Sequence, residues 1–147
     1  MGEIQIERVT TVTDELMAAF ERLMPQLSPQ ARLPERDTLA QIVASPTTTL
    51  YIARDAGGTI TGALTLAIYR TPLALHAWIE DVVVDEKMRG QGIGAALTQR
   101  GLEHARAAGA KSVNLTSRPA REAANRLYQN LGFVRWETNA YRFNFKE

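Results

Sequence analysis

Residues 78–108 read WIEDVVVDEKMRGQGIGAALTQRGLEHARAA, and this stretch decides the fold. It begins with an apolar strand, residues 79–84, passes a charged turn, and reaches a loop with Gly90, Gly92 and Gly94 that opens a helix. The first backbone N–H groups of a helix have no partner inside it, and the helix dipole is positive there. Glycines let an anion approach those N–H groups closely. The stretch therefore predicts a cradle for a pyrophosphate.

The spacing narrows the choice of phosphate ligand. No Gly-Lys-Ser/Thr follows the glycines, so the loop lacks the lysine and hydroxyl with which a P-loop holds a nucleoside triphosphate and magnesium. Gly90-x-Gly92-x-x-Ala95 fits the dinucleotide fingerprint, but no carboxylate stands about 20 residues later to bind a ribose hydroxyl. Arg118 lies in that region and would suit a 2′-phosphate, so an NADP-binding module stays open as a hypothesis.

Two motifs resemble those of the GNAT superfamily of acyl-CoA-dependent N-acyltransferases. Residues 89–94, RGQGIG, match the family signature R/Q-x-x-G-x-G/A, and the strand VVVD ends shortly before them. Residues 124–133, ANRLYQNLGF, are similar to its second signature, A-x-x-L-Y-x-x-x-G-F. The motifs occur in the family's order and at about its separation. The resemblance implies an N-acetyltransferase that uses acetyl-CoA as cosubstrate.

Length and composition fit a single domain spanning residues 1–147. With 45% hydrophobic residues the chain can bury a core, and a net charge of +1 gives no reason to expect nucleic acid or a membrane surface as a partner. The absence of cysteine excludes disulfides, thiolate metal sites and a cysteine nucleophile. His76 and His104 lack a second ligand at metal spacing, so we expect no metal. No apolar run could span a membrane and no signal core is visible, so we expect a cytoplasmic protein.

Hydrophobic periodicity along the chain predicts the order β-α-α-β-β-β-α-β-α-β-β. Helical spacing of apolar residues predicts two helices before residue 45, the first capped by Thr13 or Asp14, and two-residue alternation predicts a hairpin over residues 48–69. A parallel strand at 112–116 and a last hairpin at 133–145 complete the pattern. We expect an α/β mixed sheet with helices on both faces, which is also the element order of the GNAT fold.

The resemblance also implies where the coenzyme binds. In this family the central strand and the parallel strand after it splay apart, and the pantetheine arm of the coenzyme enters the gap. The edge amides that would bond the arm belong to Val82, Val83 and Val84. Arg89 would neutralise the pyrophosphate, Asn125 would reach the pantetheine or phosphate end, and backbone amides would wrap the pyrophosphate. The residues of this wrapping loop are Gly90, Gln91, Gly92, Ile93, Gly94 and Ala95.

The same strand supplies the candidate base. Strict alternation defines two faces, one with Trp78, Glu80, Val82 and Val84 and the other with Ile79, Asp81, Val83 and Asp85. The family's base usually lies on the first of these faces, which makes Glu80 the candidate. A carboxylate inside an apolar strand is costly unless it is partnered or functional, so the alternative is a pair with an arginine such as Arg118.

Tyr128 is the candidate acid, because the resemblance places its hydroxyl near the coenzyme sulfur, where it can protonate the departing thiolate. The implied partners are acetyl-CoA and a primary amine, and a homodimer is a further expectation by analogy with the family. Two other hypotheses stay open. One is a CoA-binding sensor or structural module without turnover, and the other is the NADP-binding module.

Overall fold

The computed structural model describes residues 3–146. The elements in chain order are β1 (Gln5–Arg8), α1 (Asp14–Leu27), α2 (Arg36–Ala44), β2 (Thr48–Arg54), β3 (Ile60–Arg70), β4 (Leu75–Val84), one turn of 3-10 helix (Glu86–Met88), α3 (Ile93–Ala108), β5 (Val113–Asn114) and α4 (Glu122–Asn130). The strands form one sheet in the order β1-β2-β3-β4-β5. Pairs from β1 to β4 are antiparallel, and β4 pairs with β5 in parallel. The predicted mixed sheet is therefore confirmed.

Helices cover both faces of the sheet, as expected, and each face has its own apolar cluster. The α1-face cluster joins α1 and α2 to β2 and β3, with Leu16, Phe20, Leu23 and Leu39 at its centre. The α3-face cluster joins α3 to the other side of the sheet and includes Leu97. A fully buried leucine or phenylalanine contributes about 1.5 to 3 kcal/mol. The amphipathic stripes of α1 and α3 thus fix which side of the sheet each helix covers.

The predicted last hairpin is wrong. Residues 133–146 carry no strand, and Tyr141, Phe143 and Phe145, whose alternation suggested one, are 90%, 82% and 88% exposed. Alternation makes a segment suitable for a sheet, but a strand also needs an edge with which to exchange backbone hydrogen bonds. The outer strand β5 is only 2 residues long, shorter than the predicted 112–116, and offers little edge. Pro119 lies before α4, which begins at Glu122.

Candidate functional site

Strand β4 carries a bulge in its second half. Thr65 of β3 lies opposite Glu80, and Ala63 lies opposite Val83, so two β4 residues, Asp81 and Val82, stand against one β3 residue. Asp81 has φ 49°, the left-handed conformation that side chains rarely adopt. A bulge of this kind interrupts the ladder of hydrogen bonds and re-aims the residues beside it.

The bulge changes which face each later side chain occupies, so the prediction of strict alternation along β4 is wrong. Ile79 belongs to the α3-face cluster, whereas Val83 belongs to the α1-face cluster. Val82 and Val84 pack against the α3-face cluster. The extra residue at Asp81 shifts the two-residue alternation of side chains by one position. Val83 therefore lies on the opposite face of the sheet from Ile79, and Val82 and Val84 lie on the face of Ile79.

An opening separates β4 from β5. Only two pairs join them, Ala77 with Val113 and Trp78 with Asn114, and the pairing ends there. Beyond Trp78 the second edge of β4 therefore has no strand partner among residues 3–146. This is the splay that the resemblance implied.

The direction of the backbone near the end of β4 can be derived from one hydrogen bond. The Asp85 N–H donates to the Thr61 carbonyl, 2.8 Å away. Because successive peptide groups of a strand point to opposite edges, Val83 turns its N–H toward β3 and Val84 turns its N–H toward the opening. Val82 belongs to the bulge, where regular alternation does not apply. Of the three valines predicted to bind the coenzyme, Val83 is thus the least available.

Beyond β4, the loop into α3 presents a run of free amides. Within residues 3–146, the backbone N–H groups of residues 89–95 donate no hydrogen bond, and the first that does is Ala96, to the carbonyl of Gly92 at 3.0 Å. Gly92 is the N-cap of α3 in the left-handed conformation, φ 81°, and supplies no side-chain cap. A left-handed glycine turns the chain so that consecutive amides converge, which suits an anion. The predicted wrapping loop is thus open at this end of α3.

Helix α4 is held against the start of α3. A Cβ added to Gly94 would lie 3.1 Å from Leu127 Cδ2 and 3.7 Å from Val84 Cγ2, so glycine permits this close approach. Leu127 precedes Tyr128, which is 9% exposed and packs edge-on to Phe133 with the ring centroids 5.7 Å apart. Burial raises the pKa of the Tyr128 phenol above its usual range, and the charge of Arg121 opposes that shift. The hydroxyl therefore keeps its proton at neutral pH.

Glu80 lies on β4 directly before the bulge, opposite Thr65 of β3. Its side chain is exposed at the bulge and is not paired with Arg118 or with any other cation within residues 3–146. The alternative role, a pair with Arg118, is therefore not found, and the exposed position of Glu80 removes the cost of burying a carboxylate. Whether Glu80 is the base stays a prediction that depends on its position alone.

Asn125 has a structural task. Its amide nitrogen donates to the carbonyls of Arg118 and Arg121, at 3.0 and 2.9 Å, and so fastens the loop that precedes α4. Both amide hydrogens are used in this way. Only Oδ1 is left to meet a ligand, so the predicted contact with the coenzyme is restricted to that atom.

Sequence reasoning missed a network that anchors the glycine loop to α1. Arg22 Nε donates to Asp85 Oδ2 at 3.3 Å, and the other end of its guanidinium donates to the Ile60 carbonyl at 2.6 Å. Gln26 accepts from the Glu86 N–H at 2.8 Å. Burial of Asp85 acts to raise its pKa, but hydrogen bonds from the Lys87 amide and Arg22 outweigh burial and hold that pKa below its usual range. The only sequence signal was a conspicuous Asp at the end of an apolar strand.

Ser117 also escaped attention in the sequence. Its hydroxyl oxygen is buried and is the one side-chain polar atom of this kind without a hydrogen-bond partner in the part of the chain that the structure describes. The two histidines, by contrast, are both bonded. His76 Nε2 lies 2.9 Å from the Thr71 hydroxyl and His104 Nδ1 lies 2.7 Å from the Tyr51 hydroxyl.

Residues 3–146 contain no group of three or more His, Asp or Glu side chains that could hold a metal ion. None of the helices within that range combines the length and the apolar character needed to cross a membrane.

Comparison with known proteins connects this geometry to one family. The profile of the Acetyltransferase (GNAT) family matches residues 11–133. A mycothiol acetyltransferase of Nocardiopsis dassonvillei is 48% identical over 58 residues, which are 40% of this chain. The matched stretch spans only 18% of that relative's length.

Solved structures agree in fold over nearly the whole chain. An acetyltransferase of Trypanosoma brucei has a TM-score of 0.79 at 25% identity, covering 97% of this chain and 100% of that one. An aminoglycoside acetyltransferase from an uncultured soil metagenomic sample, in complex with sisomicin, has a TM-score of 0.83 at 18% identity and covers 97% of each chain. The second likeness concerns the fold alone. The family profile covers most of the chain, so this protein belongs to the GNAT family of acetyltransferases.

Proposed function

We propose that this chain transfers an acetyl group from acetyl-CoA directly to a primary amine, with both substrates bound together. The observation that carries the proposal is the run of free amides at residues 89–95, next to the open edge of β4. A diphosphate bound by those amides would direct the pantetheine arm into the opening between β4 and β5. There the arm can bond to the strand edge as an added strand does.

Several groups suit the parts of acetyl-CoA. The guanidinium of Arg89 is exposed beside the free amides and can offset the charge of the diphosphate. The Val84 N–H, directed at the opening, can bond a pantetheine carbonyl. Oδ1 of Asn125 is free to accept from the arm.

The chemical step needs a neutral amine, a stabilised oxyanion and a protonated leaving group. We assign the first task to Glu80, whose exposed carboxylate takes the proton of the ammonium, directly or through water. The amine nitrogen then attacks the thioester carbonyl, and the bulge amide of Val82 stabilises the oxyanion. As the carbon–sulfur bond breaks, Tyr128 gives its proton to the thiolate. The nitrogen of the new amide loses its surplus proton to solvent, and the Tyr128 phenolate regains one from solvent. The products are an N-acetyl amine and coenzyme A.

The acceptor is a small amine in this proposal, and the descriptions of similar proteins guide the choice of compounds. Matched relatives are described as mycothiol acetyltransferases, and two of the similar solved structures as aminoglycoside acetyltransferases. We therefore include aminoglycosides and amino sugars beside amino acids, polyamines and peptides. A cytoplasmic location and a homodimer stay predictions.

The test has two stages. Calorimetry first measures binding of CoA and of NADP, and tight binding of NADP without CoA would favour the dinucleotide module. An acceptor screen with acetyl-CoA then follows release of free thiol. Saturable turnover with any amine supports the enzyme, whereas CoA binding without turnover over the whole panel favours the sensor or structural module.

Matched variants assign the catalytic groups once an acceptor is found. Glu80→Gln and Tyr128→Phe should each lower kcat by roughly 100-fold, the usual range for loss of a general base or acid. Glu103→Gln and Tyr141→Phe alter exposed residues of the same types elsewhere and should retain wild-type kcat. Unchanged kcat in Glu80→Gln would remove Glu80 from the mechanism without affecting the coenzyme site.

A further inference from the structure

The Ser117 hydroxyl is an exception to the hydrogen bonding of this protein. Its oxygen is buried, and no donor or acceptor within residues 3–146 meets it. A buried hydroxyl without a partner destabilises a folded protein, and such groups are rare in native structures. The position therefore calls for an explanation in terms of a ligand.

The register of β4 and β5 places Ser117 along the opening. Ala77 pairs with Val113 and Trp78 with Asn114. Extending this parallel register by three residues beyond its last pair places Ser117 opposite Asp81. Asp81 is the bulge residue of β4. The buried hydroxyl and the bulge thus stand at the same height on the two sides of the opening.

The face on which Ser117 lies can also be derived. Val113 and Leu115 both pack against the α3-face cluster. Thr116, which lies between Leu115 and Ser117, is exposed. Continuing the alternation of Val113 and Leu115 by one more step, past the end of β5, places Ser117 on the side of α3. Helix α4 packs on that side through the contact between Leu127 and Gly94. Ser117 therefore lies on the same side of the sheet as Tyr128.

We infer that the Ser117 hydroxyl donates a hydrogen bond to the thioester end of acyl-CoA in the opening between β4 and β5. The inference rests on the proposed function. The hydrogen of a serine hydroxyl can turn toward either the acyl oxygen or the sulfur, both of which accept. The ligand would then satisfy a group that the protein alone leaves unbonded.

The test compares two ligands that differ in the thioester arm. Acetyl-CoA carries the arm, whereas adenosine 3′,5′-bisphosphate lacks it. Calorimetry on Ser117→Ala should show acetyl-CoA binding weakened by about 10-fold, the effect of one good hydrogen bond, with unchanged affinity for the bisphosphate. Ser112→Ala, at an exposed serine ahead of β5, is the matched control and should bind both ligands as wild type does.

Thermal denaturation without ligand gives an independent readout. Because Ser117→Ala removes an unbonded buried hydroxyl, it should raise the melting temperature by about 2 to 4 °C. A lower melting temperature would mean that the hydroxyl has a partner in the free protein and would overturn the inference. Equal affinity of wild type and variant for acetyl-CoA would overturn it as well. If wild type itself fails to bind acetyl-CoA, the proposed function fails first, so the two failures are distinguishable.

Discussion

The two longest helices, α1 and α3, begin in opposite ways. At the start of α1, Thr13 Oγ1 accepts from the Leu16 N–H at 3.1 Å, and Asp14 and Glu15 bring negative charge to the first turn. The start of α3 has Gly92 as its N-cap, no capping side chain and no acidic residue in the first turn. Capping and acidic residues both stabilise a helix, so α3 forgoes stability that α1 obtains. Under the proposed function, the uncapped start of α3 is the one that receives the diphosphate.

The largest effect on the contrast between the two helix starts is expected from placing a capping residue at the start of α3. Gly92→Asp would place a carboxylate where the diphosphate is proposed to bind, and the affinity for CoA measured by calorimetry should fall by about 100-fold or more. Gly58→Asp is the matched control, because Gly58 has φ 87° and open space around it, in the turn between β2 and β3. If both variants bind CoA as wild type does, the free amides are not the diphosphate site.

A smaller effect is expected from the network that holds the loop before α3. Asp85→Asn should lower the free energy of unfolding by about 1 to 2 kcal/mol at pH 7, since it weakens the bonds from Arg22 and the Lys87 amide. The folded-state pKa of Asp85 is depressed, so its contribution is present above the ordinary carboxyl range, near pH 4, and is lost as the pH falls through the folded pKa. Urea titrations at pH 7, 5 and 3.5 should show the difference from wild type shrinking only at the lowest pH.

Glu103→Gln, at an exposed site on α3, is the control for that experiment and should leave stability unchanged at each pH. A deficit of Asp85→Asn that is the same at pH 3.5 as at pH 7 would show that the carboxylate charge is not what stabilises the loop.

The charge of Arg89 should matter less than the shape of the loop. Arg89→Gln removes one exposed cation beside the amides, and CoA affinity should fall by about 5- to 10-fold, with a weaker dependence on salt. Arg106→Gln removes an exposed cation from the opposite end of α3 and should change neither the CoA affinity nor its dependence on salt. Calorimetry at 50 and 300 mM salt measures both variants. If the CoA affinity of Arg89→Gln depends on salt as strongly as that of wild type, Arg89 does not contact the diphosphate.

The mildest change concerns α1. Thr13→Ala should cost about 1 kcal/mol of stability through loss of the cap, with CoA affinity unchanged. Urea denaturation and calorimetry on the same sample check both halves of this expectation. A loss of CoA affinity in Thr13→Ala would mean that the two helix starts are coupled and would end the contrast between them.

The sequence was most informative where structure is local. The strand, glycine loop and helix of residues 78–108 could be predicted because apolar alternation, glycines and the following helical stripe are neighbours in the chain. The Thr13 cap is local in the same sense. The opening between β4 and β5 was expected only through the family resemblance, since nothing in the two strands by themselves tells where their pairing ends.

The features that escaped prediction depend on partners that are distant in the chain. The bulge is a slip of β4 against β3, and three successive valines fit either face equally well, so their pattern does not record the slip. Arg22 and Asp85 are 63 residues apart. The prediction of a last hairpin is wrong for a related reason. Its alternation is a property of neighbouring residues, whereas a strand also needs a sheet edge that distant parts of the chain must provide.

The extra residue at Asp81 divides β4 into two segments that are out of step with each other. Residues before it, including Glu80, keep the register set by the pairs with β5, and residues after it keep the register that leads into the glycine loop before α3. Under the proposed function, evolution can therefore remodel the amine side of the strand without disturbing recognition of the nucleotide. Such insulation would let one scaffold acquire new acceptors by few substitutions.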